Sequence, residues 1–266
     1  LKKTINRIYL ILIYVFLYAP VLTLIIFSFN NSKSRANWDG FTLKWYAQLF
    51  KDKQIMASLY YTLIIALLSS LIATVAGTAA AVGIFGMNKR LRTIVMNVTY
   101  LPVLNPDIVT GISLMILFIF IKLDMGFLTL LLAHITFNVP YVILSVLPKL
   151  KQLNKHLYEA ALDLGAGPLK AFFKVILPEI MPGVVTGFLL AFTLSLDDFI
   201  ISFFTTGSGV STLSITIYSM TRLGINPKIN ALSTLLFAVV LTLLLIINKR
   251  SSANGKDEAV KIGSLI

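Results

Sequence analysis

Three aspartates are the residues of this chain best placed to do chemistry. Asp107, Asp197 and Asp198 fall within long apolar runs, at or near membrane depth. An ionised carboxylate at the centre of a membrane span costs roughly 2.5–3.5 kcal/mol, so it normally faces a bundle interior and has work there. Asp197 and Asp198 repel one another when both are ionised. Coupling and desolvation favour one retained proton between them, and a passing cation would relieve that penalty. Neighbours on a helix point about 100° apart, so at most one of the pair faces a lumen directly. Trp45 or Tyr46, in the longest hydrophilic connection, could add cation–π attraction of about 0.5–2 kcal/mol. These five residues are the expected lining of a cation path. The competing expectation has the acids bonding to nearby backbone or serine groups and bracing kinked helices. For the aromatic residues, it is a belt at the lipid headgroups.

Other chemistry is missing from the sequence. No G-x-x-x-x-G-K-[ST] stretch is present to cradle a nucleotide. No cluster of metal ligands is expected, because the two histidines, His134 and His156, fall in different compartments. His134, with Asn138 and Pro140, reads as an interhelical hydrogen-bonding group. No serine, histidine and acid grouping suggests hydrolysis. The chain has no cysteine, which excludes disulfides and thiolate sites. It reads as non-enzymatic, with no catalytic residues and no metal.

The elements that must position the acids are membrane helices. Hydrophobic residues make up 57% of the 266 and charged residues 13%, a balance that few soluble domains show. A span needs about 20 apolar residues as helix. Six windows approach or meet this: about Ile8–Phe29, Leu59–Phe85, Ile94–Phe120, Phe127–Leu147, Val184–Phe204 and Ala231–Ile247. The expected architecture is an all-α membrane protein of six transmembrane helices, a single transmembrane domain over 1–266. It has a cytoplasmic loop at about 149–183 and a polar tail at about 249–266. The first window has a basic start but is too long for a signal peptide, and no A-x-A site follows it. Pro20 is expected to kink it. Pro102, Asn105, Pro106 and Asp107 interrupt the third, which calls for backbone buried in protein or lining a cavity. Ala73, Gly77, Ala80 and Ala81 form a small-residue face on the second, suited to close helix packing.

Charge gives the orientation. Of the 23 lysines and arginines, fifteen fall on the side of both termini and the 149–183 loop, and eight on the other. The positive-inside rule puts the fifteen in the cytoplasm. The net charge of +12 is therefore mostly a topology signal, and nucleic-acid binding is a poor alternative.

The cytoplasmic loop carries the most specific pattern. Glu159, Ala160 and Ala161 begin a helix that Gly165-Ala166-Gly167-Pro168 should stop, and Pro168 suits the first position of a second helix. The second helix is expected to run to about Leu177 and present Leu169, Phe172, Phe173 and Ile176. Pro178 and Pro182 should then redirect the chain. Two short helices on a glycine turn make an apolar knob, which either docks in a partner's groove or lies on the bilayer.

The residues Glu159-Ala160-Ala161, Gly165 and Leu177-Pro178 stand at the spacing of the EAA loop of ABC-importer permeases, with Val175 where that motif has isoleucine. The likeness runs further, through NWDGFTLKWY from Asn37, PDIV from Pro106, HITF from His134, LSLDD from Leu194 and IYSM from Ile217. Over nearly its whole length the chain resembles the PotC-type permease subunits of polyamine importers. That resemblance implies a type I importer permease with Glu159, Ala160, Ala161, Gly165, Leu177 and Pro178 coupling to an ATPase. It also implies partners: a homologous permease (PotB-like), a dimer of ATPase subunits (PotA-like) that bind the ATP and Mg, and an extracytoplasmic polyamine-binding protein (PotD-like). The bacterial cytoplasmic (inner) membrane is the implied location. Polyamines such as spermidine and putrescine are flexible chains of several ammonium groups, which spaced carboxylates suit. Rival readings are a permease for another cargo such as ferric ion, or an ion-driven secondary transporter. An anion path is disfavoured, since no lysine or arginine lies inside the expected spans.

Overall fold

A computed structural model describes residues 2–33, 37–154, 156–222 and 227–242. Long apolar runs with few breakers fold as helix, and among these residues only an isolated bridge between Asn30 and Phe41 departs from an all-helical chain. The helices are α1 (Lys2–Ser28), α2 (Lys44–Lys51), α3 (Lys53–Gly86), α4 (Lys89–Leu104), α5 (Asp107–Phe120) and α6 (Phe127–Gln152). After them come α7 (His156–Asp163), α8 (Pro168–Ala171), α9 (Leu177–Asp197), α10 (Ile200–Thr205), α11 (Leu213–Arg222) and α12 (Pro227–Thr242). Among the described residues, four helices are long and apolar enough to cross a membrane: Asn6–Ser28, Lys53–Gly86, Phe127–Gln152 and Pro168–Asp197.

The expected third span is not one straight helix. It breaks into α4 and α5, bent by 105°. Pro106 is the cause. A proline biases the preceding residue away from the helical region, and Asn105 is extended at φ −75°, ψ 145°. The fifth window also differs, since its helix starts earlier and ends at Asp197. The sixth corresponds to α12, and residues 243–247 of that window and the 249–266 tail lie outside the described residues.

The chain divides into two compact units, Leu1–Met56 with Ile217–Ile266, and Ala57–Thr216. In the second, α6 is the central element. Its C-terminal half packs with α3 and α9 around Ala73, Ala81, Val142, Val146, Ile180 and Ala191. Its N-terminal half packs with α5 and α10 around Phe118, Ala133, Phe137 and Ile201. Small residues permit the approach of these helices. A Cβ on Gly77 of α3 would stand 2.7 Å from Val142 Cβ, and one on Gly187 of α9 3.2 Å from Val142 Cα. Between the two cores Asn138 donates to Ser195 Oγ (2.8 Å) and Ser69 Oγ (3.4 Å), joining α3, α6 and α9 by buried polar groups. At the α3–α4 turn, Arg92 donates to the carbonyls of Ile84 (3.1 Å), Phe85 and Met87 (3.2 Å). A cation there complements the carbonyl end of α3.

In the first unit, Asn30 organises the loop after α1. Its amide donates to Asn37 O (2.8 Å), its carbonyl accepts from the Asp39 N–H (2.9 Å), and its backbone oxygen takes the Trp45 indole N–H (2.7 Å). Asp52 pairs with Lys228 at 3.1 Å. Burial pushes the Asp52 carboxyl up, but the Lys228 hydrogen bond and charge together with the Ile55 and Gln54 amides outweigh it and hold the group below its ordinary value. A carboxyl whose folded value is depressed adds stability above the unfolded value, and loses it as pH falls through the folded one. Lys228→Met should therefore flatten the pH dependence of thermal unfolding below pH 3.8 and cost no more than about 1 kcal/mol at neutral pH. Unfolding scans of the two chains in detergent at both pH values check this.

Candidate functional site

Two regions carry the candidate residues. The first is the loop after α6. Its first helix, α7, ends in a Schellman motif: Gly165 N–H donates to Leu162 O (2.8 Å) and Ala166 N–H to Ala161 O (3.1 Å). Gly165 has φ +83°, a left-handed conformation that a Cβ disfavours. Pro168 begins the next helix, as its fixed φ and missing N–H suit that position.

The expected end of that helix near Leu177 is corrected. The helix continues from α8 through a π-helical turn (Phe172–Ile176) into α9, so Pro178 and Pro182 lie within one continuous span, Pro168–Asp197. A helical proline lacks one N–H and crowds the carbonyl four residues earlier. Here the Leu177 N–H reaches back five residues to Phe172 O, and the widened turn makes room ahead of Pro178. The second helix of the knob is therefore continuous with a membrane helix. Ala161 and Ala171 are its buried seam, while Leu164 (89% exposed), Leu169 (76%) and Phe173 (59%) stand outward. Ala160 is exposed. Glu159 is also exposed and lies 3.1 Å from His156 Nδ1.

The second region is formed by the breaks in two membrane helices. Past the first break, Asp107 opens α5 and is exposed. The other break follows Asp197. No proline or glycine causes it. Asp198 turns extended, and its carboxylate accepts from the Ile201 N–H (3.2 Å) and the Ser202 N–H (2.7 Å), taking over donors that a continuous helix would use. The two half-helices beyond the breaks pack together. A Cβ on Gly111, one turn after Asp107, would stand 3.1 Å from the Phe204 ring and 3.5 Å from Ile200 O. The adjacent acids part company: Asp197 is exposed, while the Asp198 side chain is 7% exposed and lies 3.6 Å from buried His134 Nε2.

Trp45 and Tyr46 belong to the other unit. Trp45 is 4% exposed, bonded to Asn30, with Lys44 Nζ 4.5 Å over its ring. Tyr46 is half-buried, its hydroxyl 2.7 Å from Ser28 Oγ.

Comparison with known proteins decides the family. Residues 73–250 match the family of binding-protein-dependent transport system inner membrane components. This chain belongs to that family. It is 43% identical over 239 residues to the putrescine transport system permease protein PotI of Escherichia coli (strain K12), covering 87% of this chain and 85% of that protein. It is 39% identical over 246 residues to the spermidine/putrescine transport system permease protein PotC of the same organism, covering 92% of each. A PotC homologue of Mycoplasma genitalium is 30% identical over 276 residues, with 98% of this chain and 96% of that one covered. Among solved structures, one chain of a bacterial ABC transporter involved in alginate import superposes with a TM-score of 0.70 at 20% identity, over 94% of this chain and 97% of the other. The MetNI methionine ABC transporter gives 0.59 at 18%, over 79% and 97%. Likeness at that identity speaks for fold only. The permease is thus an all-helical, multi-pass inner-membrane protein with the ABC-importer permease fold and a non-catalytic transport role.

Sequence reasoning missed two structural parts of this permease. The stripe Gly183, Gly187, Ala191 and Ser195 on α9 faces α6 and is buried throughout. Its four-residue spacing is the same signal that exposed the α3 face. Ser202, which meets both His134 and Asp198, had no local signal.

Proposed function

We propose that this permease forms half of the membrane path of an ATP-driven importer of polyamines, with a homologous permease as the other half. An ATPase dimer that binds ATP and Mg would sit on the cytoplasmic side, and an external binding protein would deliver cargo. Both termini are then cytoplasmic, in line with the fifteen-to-eight division of basic residues. The names of the relatives favour polyamines as cargo.

The observation that carries the reading is the pair of broken helices. At each break a first half-helix, α4 or α9, presents its carbonyl end, the negative pole of its dipole. The positive pole of each following half-helix is met by a carboxylate: Asp107 in the first turn of α5, Asp198 at the start of α10. The breaks therefore offer carbonyls and acids to a cation, and no lysine or arginine is present in α5, α9 or α10 to oppose it. Polar backbone and acids at interrupted helices are the usual makings of a membrane substrate site. Closure of the ATPases on ATP would push the Glu159–Pro178 knob. Because the second helix of that knob runs unbroken from Pro168 to Asp197, displacement would pass along it to the acids.

Right-side-out vesicles holding the full assembly test the reading by ATP-dependent uptake of labelled spermidine, competed by putrescine. No uptake, or equal uptake without the ATPase, contradicts it. Gly165 provides the coupling test. Nothing lies within 4 Å of a Cβ there, so substitution is opposed by φ alone. Alanine should cost about 1 kcal/mol and asparagine less. Gly165→Pro forbids the left-handed φ and removes the N–H to Leu162. It should abolish uptake while hydrolysis continues unlinked or the ATPase fails to bind. Normal uptake by Gly165→Pro contradicts a coupling role.

A further inference from the structure

Tyr141 of α6 stands out only in the fold. It is half-buried, with its ring centroid 5.2 Å from that of Phe137, one turn back, and the two planes 59° apart. It packs on the edge of the cluster of Phe118, Ala133, Phe137 and Ile201, and so do Leu114 of α5 and Leu194 of α9. Those two leucines tie it to both breaks. Leu194 comes three residues before Asp197 and Leu114 seven after Asp107, so each shares a helix face with its acid. Depth agrees. On α6, Asn138 is level with Ser195 of α9, at 2.8 Å, and Val142 is level with Gly187, whose added Cβ would stand 3.2 Å from Val142 Cα. Tyr141 lies between these levels, within about two turns of Asp197. On its other side, the Asp107 carboxylate is near enough for its charge to act on the Tyr141 phenol.

We propose that Tyr141 is a specificity-determining residue of the path, whose ring face receives a cargo ammonium between Asp197 and Asp107. The proposal rests on the polyamine-permease reading above. An ammonium that leaves one carboxylate for the other must cross a stretch of leucine and phenylalanine side chains. The negative face of an aromatic ring attracts it there without a hydrogen bond to break. Conduction needs such a site, favourable enough to enter and weak enough to leave. The methylene stems between ammonium groups are received by the same ring and the two leucines. No lysine or arginine occurs in α5 or α9, nor in α6 before Lys149, so these helices hold no lysine or arginine of their own near Tyr141 to compete for the ring.

The test is spermidine uptake by vesicles of the full importer, expressed per assembled complex. Tyr141→Phe keeps the ring face and loses only the hydroxyl, so Vmax/KM should stay within about twofold of the unmodified chain. Tyr141→Leu and Tyr141→Met fill the place without a ring face and should lower Vmax/KM about fivefold to tenfold. A merely structural tyrosine would show itself in less assembled complex, at unmodified Vmax/KM for each complex that forms. That result overturns the assignment, as does a Phe variant as impaired as Leu. If neither Leu nor Met assembles, progressively fluorinated phenylalanines at position 141 decide, since they keep the shape of the ring and drain its negative face. A stepwise fall in Vmax/KM along that series supports the role, and a flat series overturns it. Absence of polyamine uptake by the unmodified importer is a separate outcome. It overturns the cargo reading, and the part of Tyr141 with it, whereas intact uptake by Tyr141→Leu overturns the part of Tyr141 alone.

Discussion

Gly207→Ala should be the most damaging added methyl at any glycine among the described residues. An alanine Cβ there would stand 1.9 Å from Met125 O and 2.9 Å from Gly126 N. Both are backbone atoms, so no side chain can swing aside. The residues that would have to part are the end of α10 and the start of α6. Their link includes Thr129, whose hydroxyl accepts from Gly126 N–H (2.8 Å) and lies 2.8 Å from Thr205 O. Overpacking of this kind costs typically 1–3 kcal/mol, and the loss of a buried hydrogen bond adds about 1 more. The expected result is a chain that extracts from membranes as aggregate or unfolds some degrees lower, with uptake lost in proportion. Exposed Ser208→Ala, one residue on, should stay within about 0.5 kcal/mol of the unmodified chain. Size-exclusion profiles and thermal unfolding in detergent separate the two. A Gly207→Ala protein as stable as Ser208→Ala would mean the two backbones do not approach as described.

What the sequence revealed depended on how local the cause was. Gly165 and Pro168 were legible because a positive φ and a helix-starting proline are properties of single residues. The α3 face was legible from spacing alone. Pro106 announced a break but not its 105° angle, which depends on what α4 and α5 pack against. The break after Asp197 was hidden, because its cause is a side chain outcompeting the helix for the Ile201 and Ser202 amides in the midst of an apolar run. The run through Pro178 was misread for the opposite reason. A proline pair suggests an ending, and only the widened turn before it shows how the helix survives. Trp45 illustrates a third limit. Its aromatic character was plain, but its burial under Lys44 and its bond to Asn30 need a loop closed from distant residues.

Neutralising the exposed acids should weaken uptake. Asp107 and Asp197 are exposed at the two breaks, where the half-helices that follow are in contact through Gly111. If they receive ammonium groups, each hydrogen bond to a charged partner is worth about 1.5–3 kcal/mol. Asp107→Asn and Asp197→Asn should then each raise the KM of spermidine uptake at least about tenfold, and the double variant should lose about a hundredfold or more in Vmax/KM. The loss should grow with the number of charges on the cargo, so a triamine suffers more than a diamine. The triple Asn variant distinguishes the whole picture from a purely structural one. If the acids only brace kinked helices, the triple variant should show lowered stability with an unchanged ratio of triamine to diamine uptake. If they line a cation path, that ratio falls while the amount of assembled complex changes little. Full transport by the triple variant would remove the acids from the path altogether, and would leave the carbonyl ends of α4 and α9 to attract a cation at the breaks.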